Sequence, residues 1–338
     1  MFSPDHSASH AVGNQTQGFS LVELMVSILL GVVMSLGFVK LYLESKRNYV
    51  AEEDQARLQE NGRFAVNILK RELMHAGFYA GSYAAGDREP VGISQDCVAT
   101  GLWALDTREA IEIIDNYSGS VLTHLGTAFS NTCIDKTHIT PGTDVLSVKR
   151  TAGEATLSNG VYKNGVREAK RTQWYLRVAS SGSGLSWWYN DEQGFPSTDA
   201  GPAAVADYWE YFSQVFYIRQ YSVAPGDGTP ALCVARLSGD GMSTECLVEG
   251  VEDMQLTFGI DTSGDGIPNE FRPVPATAGT EQTTVARVHL LLRGLQLIAG
   301  YQNRKSYRLG SKTIAAKNDA YLRRVLTTTV QIRNATSS

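Results

Sequence analysis

The residues best spaced for chemistry run Asp261-Thr-Ser263-Gly-Asp265-Gly266-Ile267-Pro-Asn269-Glu270. Oxygen-bearing side chains at alternate positions, with glycine sixth, can wrap a hard cation such as calcium, and the carbonyl of Ile267 would add a ligand. A complete loop of this kind has Asp or Asn third and a bidentate Glu last. Here those positions hold Ser263 and Arg272, so Asn269 or Glu270 would have to complete a weaker site. A polar Asp/Gly turn between strands is the competing reading. Trp187-Trp188-Tyr189 invites a stacking surface, but in a strand Trp187 and Tyr189 share one face while Trp188 takes the other, which favours core packing. Among the histidines, His6, His10, His75, His124, His138 and His289, only His6 and His10 have H-x-x-x-H spacing, and no helical pattern surrounds them. There is no H-E-x-x-H, no G-x-S-x-G elbow, no Walker loop and no G-x-G-x-x-G after a strand, so the expectation is a protein that is not an enzyme.

Glu23 is a different kind of site, a carboxylate in an apolar run. LMVSILLGVVMSLGFV, residues 24–39, has no charge, and extending the run from Phe19 to Leu43 adds only Glu23 and Lys40. As helix the uncharged core is about 24 Å long and the extended run about 37 Å, against roughly 30 Å of bilayer hydrocarbon. One span fits. An acid inside a bilayer costs a few kcal/mol and ordinarily has a partner. A cleaved signal peptide wants a basic start and a small-x-small site. Residues 1–18 contain no Lys or Arg, and Ser35-Leu36-Gly37 lies inside the apolar run. A plain signal anchor has no use for Glu23.

GFSLVELMVSILLGVV, residues 18–33, closely resembles the type IV prepilin motif. The resemblance implies that a membrane prepilin peptidase cuts after Gly18 and methylates Phe19. It also implies that Glu23 neutralises the N-terminal ammonium of a neighbouring subunit, each charge needing the other in apolar surroundings. The leader departs from the family in carrying Asp5 and no basic residue. Lys40, Lys46 and Arg47 follow the span, which by the positive-inside bias points the other way. The cysteines point to export, and an exported C-terminal body is the expectation. Cys97, Cys133, Cys233 and Cys246 allow three pairings; Cys233 and Cys246 flank a Gly239-Asp240-Gly241 turn, so a bridge across a hairpin is geometrically reasonable, with Cys97 and Cys133 left to close a second loop. Disulfides need an oxidising compartment; four reduced thiols in a cytosolic protein are the alternative.

The elements behind these residues change character along the chain. Leu58, Ala65, Leu69, Leu73 and Ala76 recur at helical spacing, and Gly77 and Gly81 supply a stop. Beyond residue 82 the period shortens into apolar runs at Val145–Lys149, Trp174–Val178, Val215–Val223, Leu232–Leu237, Leu247–Phe258, Val285–Arg293 and Val325–Arg333, with loops at 180–184 and 224–230. The fold class is α+β: a long N-terminal helix, its first half transmembrane, on a mainly antiparallel sheet. The layout is a leader (1–18), a transmembrane and filament-core helix (19–43), its amphipathic continuation (44–80) and a periplasmic β-rich head (81–338). At 338 residues, 43% hydrophobic and 19% charged, with net charge -5, the chain is long enough for a full core and too charged for a multi-span transporter. From Arg287 onward ten Lys/Arg face one acid, Asp319. A solvated face on C-terminal strands is the plain reading, with docking to an acidic subunit, or to nucleic acid or lipid, as alternatives. The charges are dispersed among apolar residues, so no nucleic acid is expected.

The strings GTDVLSV (142–148), LVEGVEDMQ (247–255) and RRVLTTTVQIRN (323–334) look like those of PilW-type minor pilins. That resemblance implies a low-abundance subunit that primes pilus assembly in the inner membrane. It would sit at the filament tip with other minor pilins, the major pilin and a tip adhesin. A J-like pseudopilin of type II secretion is the nearest alternative, and a membrane-tethered calcium-dependent binding module is another.

Overall fold

The computed structural model describes residues 18–80, 91–118, 123–124, 127–128, 133–163, 168–180, 184–191, 193–276 and 282–334, with 123–124 and 127–128 described by backbone only. Asp5, His6, His10, Gly81 and the centre of the 180–184 loop lie outside the described residues, as does the side chain of His124. One helix, α1 (Leu21–His75), runs unbroken through both predicted segments, because no proline or glycine pair interrupts it. The chain divides into two compact units, Met1–Ala51 and Glu52–Ser338, so the boundary falls inside α1. In the first unit every described side chain up to Tyr49 is exposed. In the second, α1 buries Leu58, Gly62, Ala65, Leu69 and Leu73, the three-to-four spacing of one helical face. The helix stops where Gly77 adopts a left-handed φ of 74° and its N–H donates to the carbonyl of Lys149 at 3.0 Å.

The strands follow as β1 (Ile111–Ile114), β2 (Thr123–His124), β3 (Thr127–Ala128), β4 (Val145–Thr151), β5 (Leu157–Ser158), β6 (Val161–Tyr162), β7 (Gln173–Ala179), β8 (Leu185–Asn190) and β9 (Ala206–Arg219). After them come β10 (Ala231–Ser238), β11 (Gly241–Glu249), β12 (Val251–Asp261), β13 (Glu270–Arg272), β14 (Gln282–Arg293), β15 (Tyr307–Leu309), β16 (Lys312–Ile314) and β17 (Arg323–Gln331). They form a large sheet along β1-β4-β9-β10-β11, to which the β5–β6 and β7–β8 hairpins join through β9, and a smaller sheet β13-β12-β14-β17. Among the described residues every pairing between these strands is antiparallel, with one isolated parallel bridge from Gln95 to Gly241. The fold is α+β; where one sheet was expected, the described residues form two main sheets and two two-stranded ones, β2-β3 and β15-β16.

The second half of α1 packs between them. Leu69 and Leu73 share a core with Leu146, Phe216, Ile218, Leu232 and Val234 of the large sheet and with Met254, Phe258, Val288 and Leu290 of the small one. Alternation along β9 turns Val215 and Tyr217 into a second core on the other side, with Trp174, Leu176, Cys233 and Leu105. The large sheet therefore buries both faces. This explains why its strands read as nearly continuous apolar runs.

Three expectations about elements are corrected. The run Leu247–Phe258 is two strands, split at Gly250, whose φ of 77° turns the chain and whose N–H donates to the Pro230 carbonyl at 2.7 Å. Val215–Val223 becomes the end of a strand that starts at Ala206 and stops at Arg219. Beyond it the Asp227 carboxylate accepts the N–H groups of Ser222, Val223 and Thr229 and closes a loop. The basic C-terminal region is not uniformly a solvated face. The Arg323 side chain is 1% exposed and pairs with Glu252 and Asp319, each at 2.6 Å, while Lys312 reaches Asp253 at 2.7 Å.

Candidate functional site

Gly18, Phe19 and Ser20 precede the first helical residue, and the Ser20 carbonyl accepts the N–H of Leu24 at 3.0 Å. Glu23 lies in the first turn, where a negative charge suits the helix dipole. The apolar window of α1 has a mean hydropathy of 2.3 with none of it buried, and it is long enough to cross a membrane. Its two internal hydroxyls are satisfied within the helix: Ser27 donates to the Glu23 carbonyl at 2.8 Å and Ser35 to the Gly31 carbonyl at 2.7 Å. Among the described residues from Leu21 to Val39, Glu23 is then the one side chain whose polar atoms its own helix does not satisfy.

The loop from Asp261 to Glu270 joins β12 to β13. Asp261 is buried at the strand end, and its carboxylate accepts the N–H groups of Ser263 at 2.8 Å, Gly264 at 2.7 Å and Gly266 at 2.6 Å. Burial raises its pKa, but the N–H bonds from Gly266, Gly264 and Ser263 outweigh that and hold the carboxyl below its ordinary range. The Asn269 side-chain oxygen accepts the N–H of Thr262 at 3.0 Å, Asp265 accepts the N–H of Ile267 at 2.9 Å, and Glu270 pairs with Arg272 at 2.8 Å. The loop is closed by its own donors, so holding a cation would require Asp261 to give these bonds up. Among the described residues no three His, Cys, Asp or Glu gather into a metal-binding group.

The cysteines pair as Cys97–Cys133 and Cys233–Cys246. The second bridge joins directly opposed residues of β10 and β11, whose turn is Gly239-Asp240. The aromatic triplet lies in β8 and packs on both faces. Trp187 lies against Tyr211 with ring centroids 4.6 Å apart, Tyr189 against Trp174 at 5.0 Å, and Trp188 against Tyr208 at 6.1 Å. The described histidines stand apart: His75 bonds the Arg71 carbonyl, His138 the Tyr221 hydroxyl and His289 the Thr327 hydroxyl.

Sequence reasoning missed the long-range polar ties. Glu72 of α1, 1% exposed, receives Arg150 of β4 through two bonds of 2.6 and 3.0 Å. Asp54 accepts the N–H groups of Leu295 at 2.9 Å and Gln296 at 3.3 Å. Lys149 is buried against Glu112 at 3.2 Å, with its ammonium 4.2 Å from the Trp103 ring centre. Their partners are remote in sequence, and a charge in an apolar run was the only available signal.

Two family profiles match the chain. The prokaryotic N-terminal methylation motif covers residues 13–39, and the type IV pilus-assembly protein W family covers residues 215–334. Together the two matches support a type IV pilus minor pilin of the PilW type. The C-terminal match to the PilW family takes in the end of β9, the Cys233–Cys246 hairpin and the whole small sheet. The N-terminal match spans Gly18, Phe19, Glu23 and the apolar half of α1. No curated protein and no solved structure matches it.

Proposed function

We propose that prepilin peptidase cuts this chain after Gly18 and methylates Phe19, leaving Glu23 as the fifth residue of the mature subunit. Glu23 then pairs with the N-terminal ammonium of a neighbouring subunit as α1 enters the filament. The single observation that carries this is the satisfaction pattern of the span: both serine hydroxyls are bonded within the helix and the Glu23 carboxylate is not. An ionised group in hydrocarbon needs an opposite charge, and a neighbour's new N-terminus supplies one. The β-rich body faces the periplasm, a placement supported by the two disulfides. As a low-abundance subunit it primes assembly with other minor pilins. It remains at the tip beside a large adhesin, with the major pilin below.

Mass spectrometry of the native N-terminus is expected to find methylated Phe19; an intact Met1, or a cut near Gly37, would refute the processing. Glu23→Ala is expected to leave membrane insertion and cleavage intact and to abolish the chain's contribution to piliation. Normal piliation with that variant would remove the role given to Glu23.

A further inference from the structure

At the C-terminal end of α1 a cleft of about 490 Å³ is lined by Arg71, Glu72, Arg150, Phe212, Gln214 and Arg236, with Ala152 and Gly153 on its wall. One carboxylate holds two of its guanidinium groups. Arg150 binds Glu72 through two bonds and stacks 4.4 Å from the Phe212 ring centre, and Arg71 reaches the same Glu72 oxygen at 3.1 Å. Arg236 pairs across the β10–β11 hairpin with Glu245. Three guanidinium groups against these two carboxylates leave one positive charge.

One buried donor in the cleft lacks an acceptor, and Gln214, 6% exposed, lines the cleft beside it. That donor is the Nε of Arg236, buried and unbonded. Buried donors without acceptors are costly and ask for an explanation. The unbonded guanidinium nitrogen calls for an oxyanion, and the single excess charge matches a monoanion. Glu72 at the cleft base would repel a doubly charged phosphate more strongly than a carboxylate. The wall is half apolar. Gly153 has open space where a side chain would project, so an extended backbone can approach.

We propose that this cleft docks an acidic segment of a neighbouring pilus subunit, whose Asp or Glu carboxylate accepts from Gln214 and Arg236 and lies beside Arg71. The identity of the partner as a pilus subunit rests on the function proposed above; the chemistry of the cleft does not.

The test uses the full chain in detergent micelles and a fluorescein-labelled Gly-Glu-Asp-Glu-Gly peptide, followed by anisotropy, with Gly-Gln-Asn-Gln-Gly as the uncharged counterpart. The acidic peptide is expected to bind about tenfold more tightly than its amide counterpart, and to lose about tenfold in the double variant Arg71→Gln/Arg236→Gln. Both substituted side chains are partly exposed and leave the Glu72–Arg150 pair in place, so the melting temperature should hold. Gln214→Leu is a second variant and should weaken the acidic peptide alone. Equal binding of the two peptides, or acidic binding unchanged in the double variant, would overturn the proposal. Displacement of the peptide by an equal concentration of inorganic phosphate would overturn it too. A methylated Phe19 without acidic-peptide binding would refute the cleft alone. Peptide binding by a chain that keeps Met1 would refute only the pilin processing.

Discussion

Asp144, fully buried, sits where the two sheets meet. Its carboxylate accepts the N–H of Asn116 at 2.9 Å beside the large sheet and the N–H of Leu256 at 2.6 Å in the small one. Burial pushes its pKa up to about 7; the two N–H bonds only partly offset this, and Asp115 and Asp253 push it further. A carboxyl whose folded pKa exceeds its unfolded value of 3.8 contributes most stability below that value and loses it as pH rises through about 7. Chemical denaturation of the native protein should therefore show it losing ground to Asp144→Asn as pH rises from 4 to 7. Asp261 works locally instead. Asp261→Ala should speed amide exchange at Ser263, Gly264 and Gly266 and leave the rest of the small sheet protected. A calcium titration by calorimetry separates the two uses of that carboxylate, since heat and a thermal shift require the cation to replace the N–H donors. The contrast between these two acids shows what a sequence reveals. The partners of Asp261 lie within five residues, so a turn was legible there, whereas Leu256 lies 112 residues from Asp144 and Leu295 lies 241 from Asp54. Only the folded chain brings those together.

Among the elements, α1 was the most legible, because its two halves carry different patterns at one period: apolar all round, then apolar on one face. What the pattern did not convey is how closely the second half approaches the sheets. Gly62 is buried in the helix interior, where a side chain would run into Leu326 of β17 and Leu292 of β14. Gly62→Val should destabilise the second unit by about 1–3 kcal/mol through overpacking. Gly31→Ala, in open space in the first half, should leave thermal unfolding of that unit unchanged. The strands of the large sheet were readable as apolar runs but not in their limits. β9 extends back to Ala206 through a Tyr- and Trp-rich segment because it carries β4, β5, β7 and β10 along its two edges. Such shared pairing leaves no mark on the strand's own sequence. Leu247–Phe258 read as one strand because Gly250, the residue that splits it, is outnumbered by its apolar neighbours.

At the scale of the molecule, the two bridges tie different regions. Cys97–Cys133 closes a sequence separation of 36 and Cys233–Cys246 one of 13. On the chain-entropy account the longer closure contributes about 4 kcal/mol and the shorter about 3 kcal/mol. Replacing both cysteines of either pair by serine should lower the melting temperature, more so for Cys97 and Cys133. The family matches reach 13–39 and 215–334, and between them lie β1 to β8, α1's second half and the buried pairs Lys149–Glu112 and Arg150–Glu72. The two matched parts belong to different compact units, so the chain's most recognisable features are those that separate structures contribute. The bonding of Ser27 and Ser35 has one more consequence. A helix that keeps its hydroxyls bonded to itself makes no polar demand on its surroundings along that stretch, so lipid tails and the flanks of other apolar helices are nearly equivalent solvents for it. On the assembly role proposed for Glu23, exchange of one for the other would be decided at that carboxylate. A single carboxylate would then be the sorting signal that distinguishes a subunit dissolved in the bilayer from one held in a fibre.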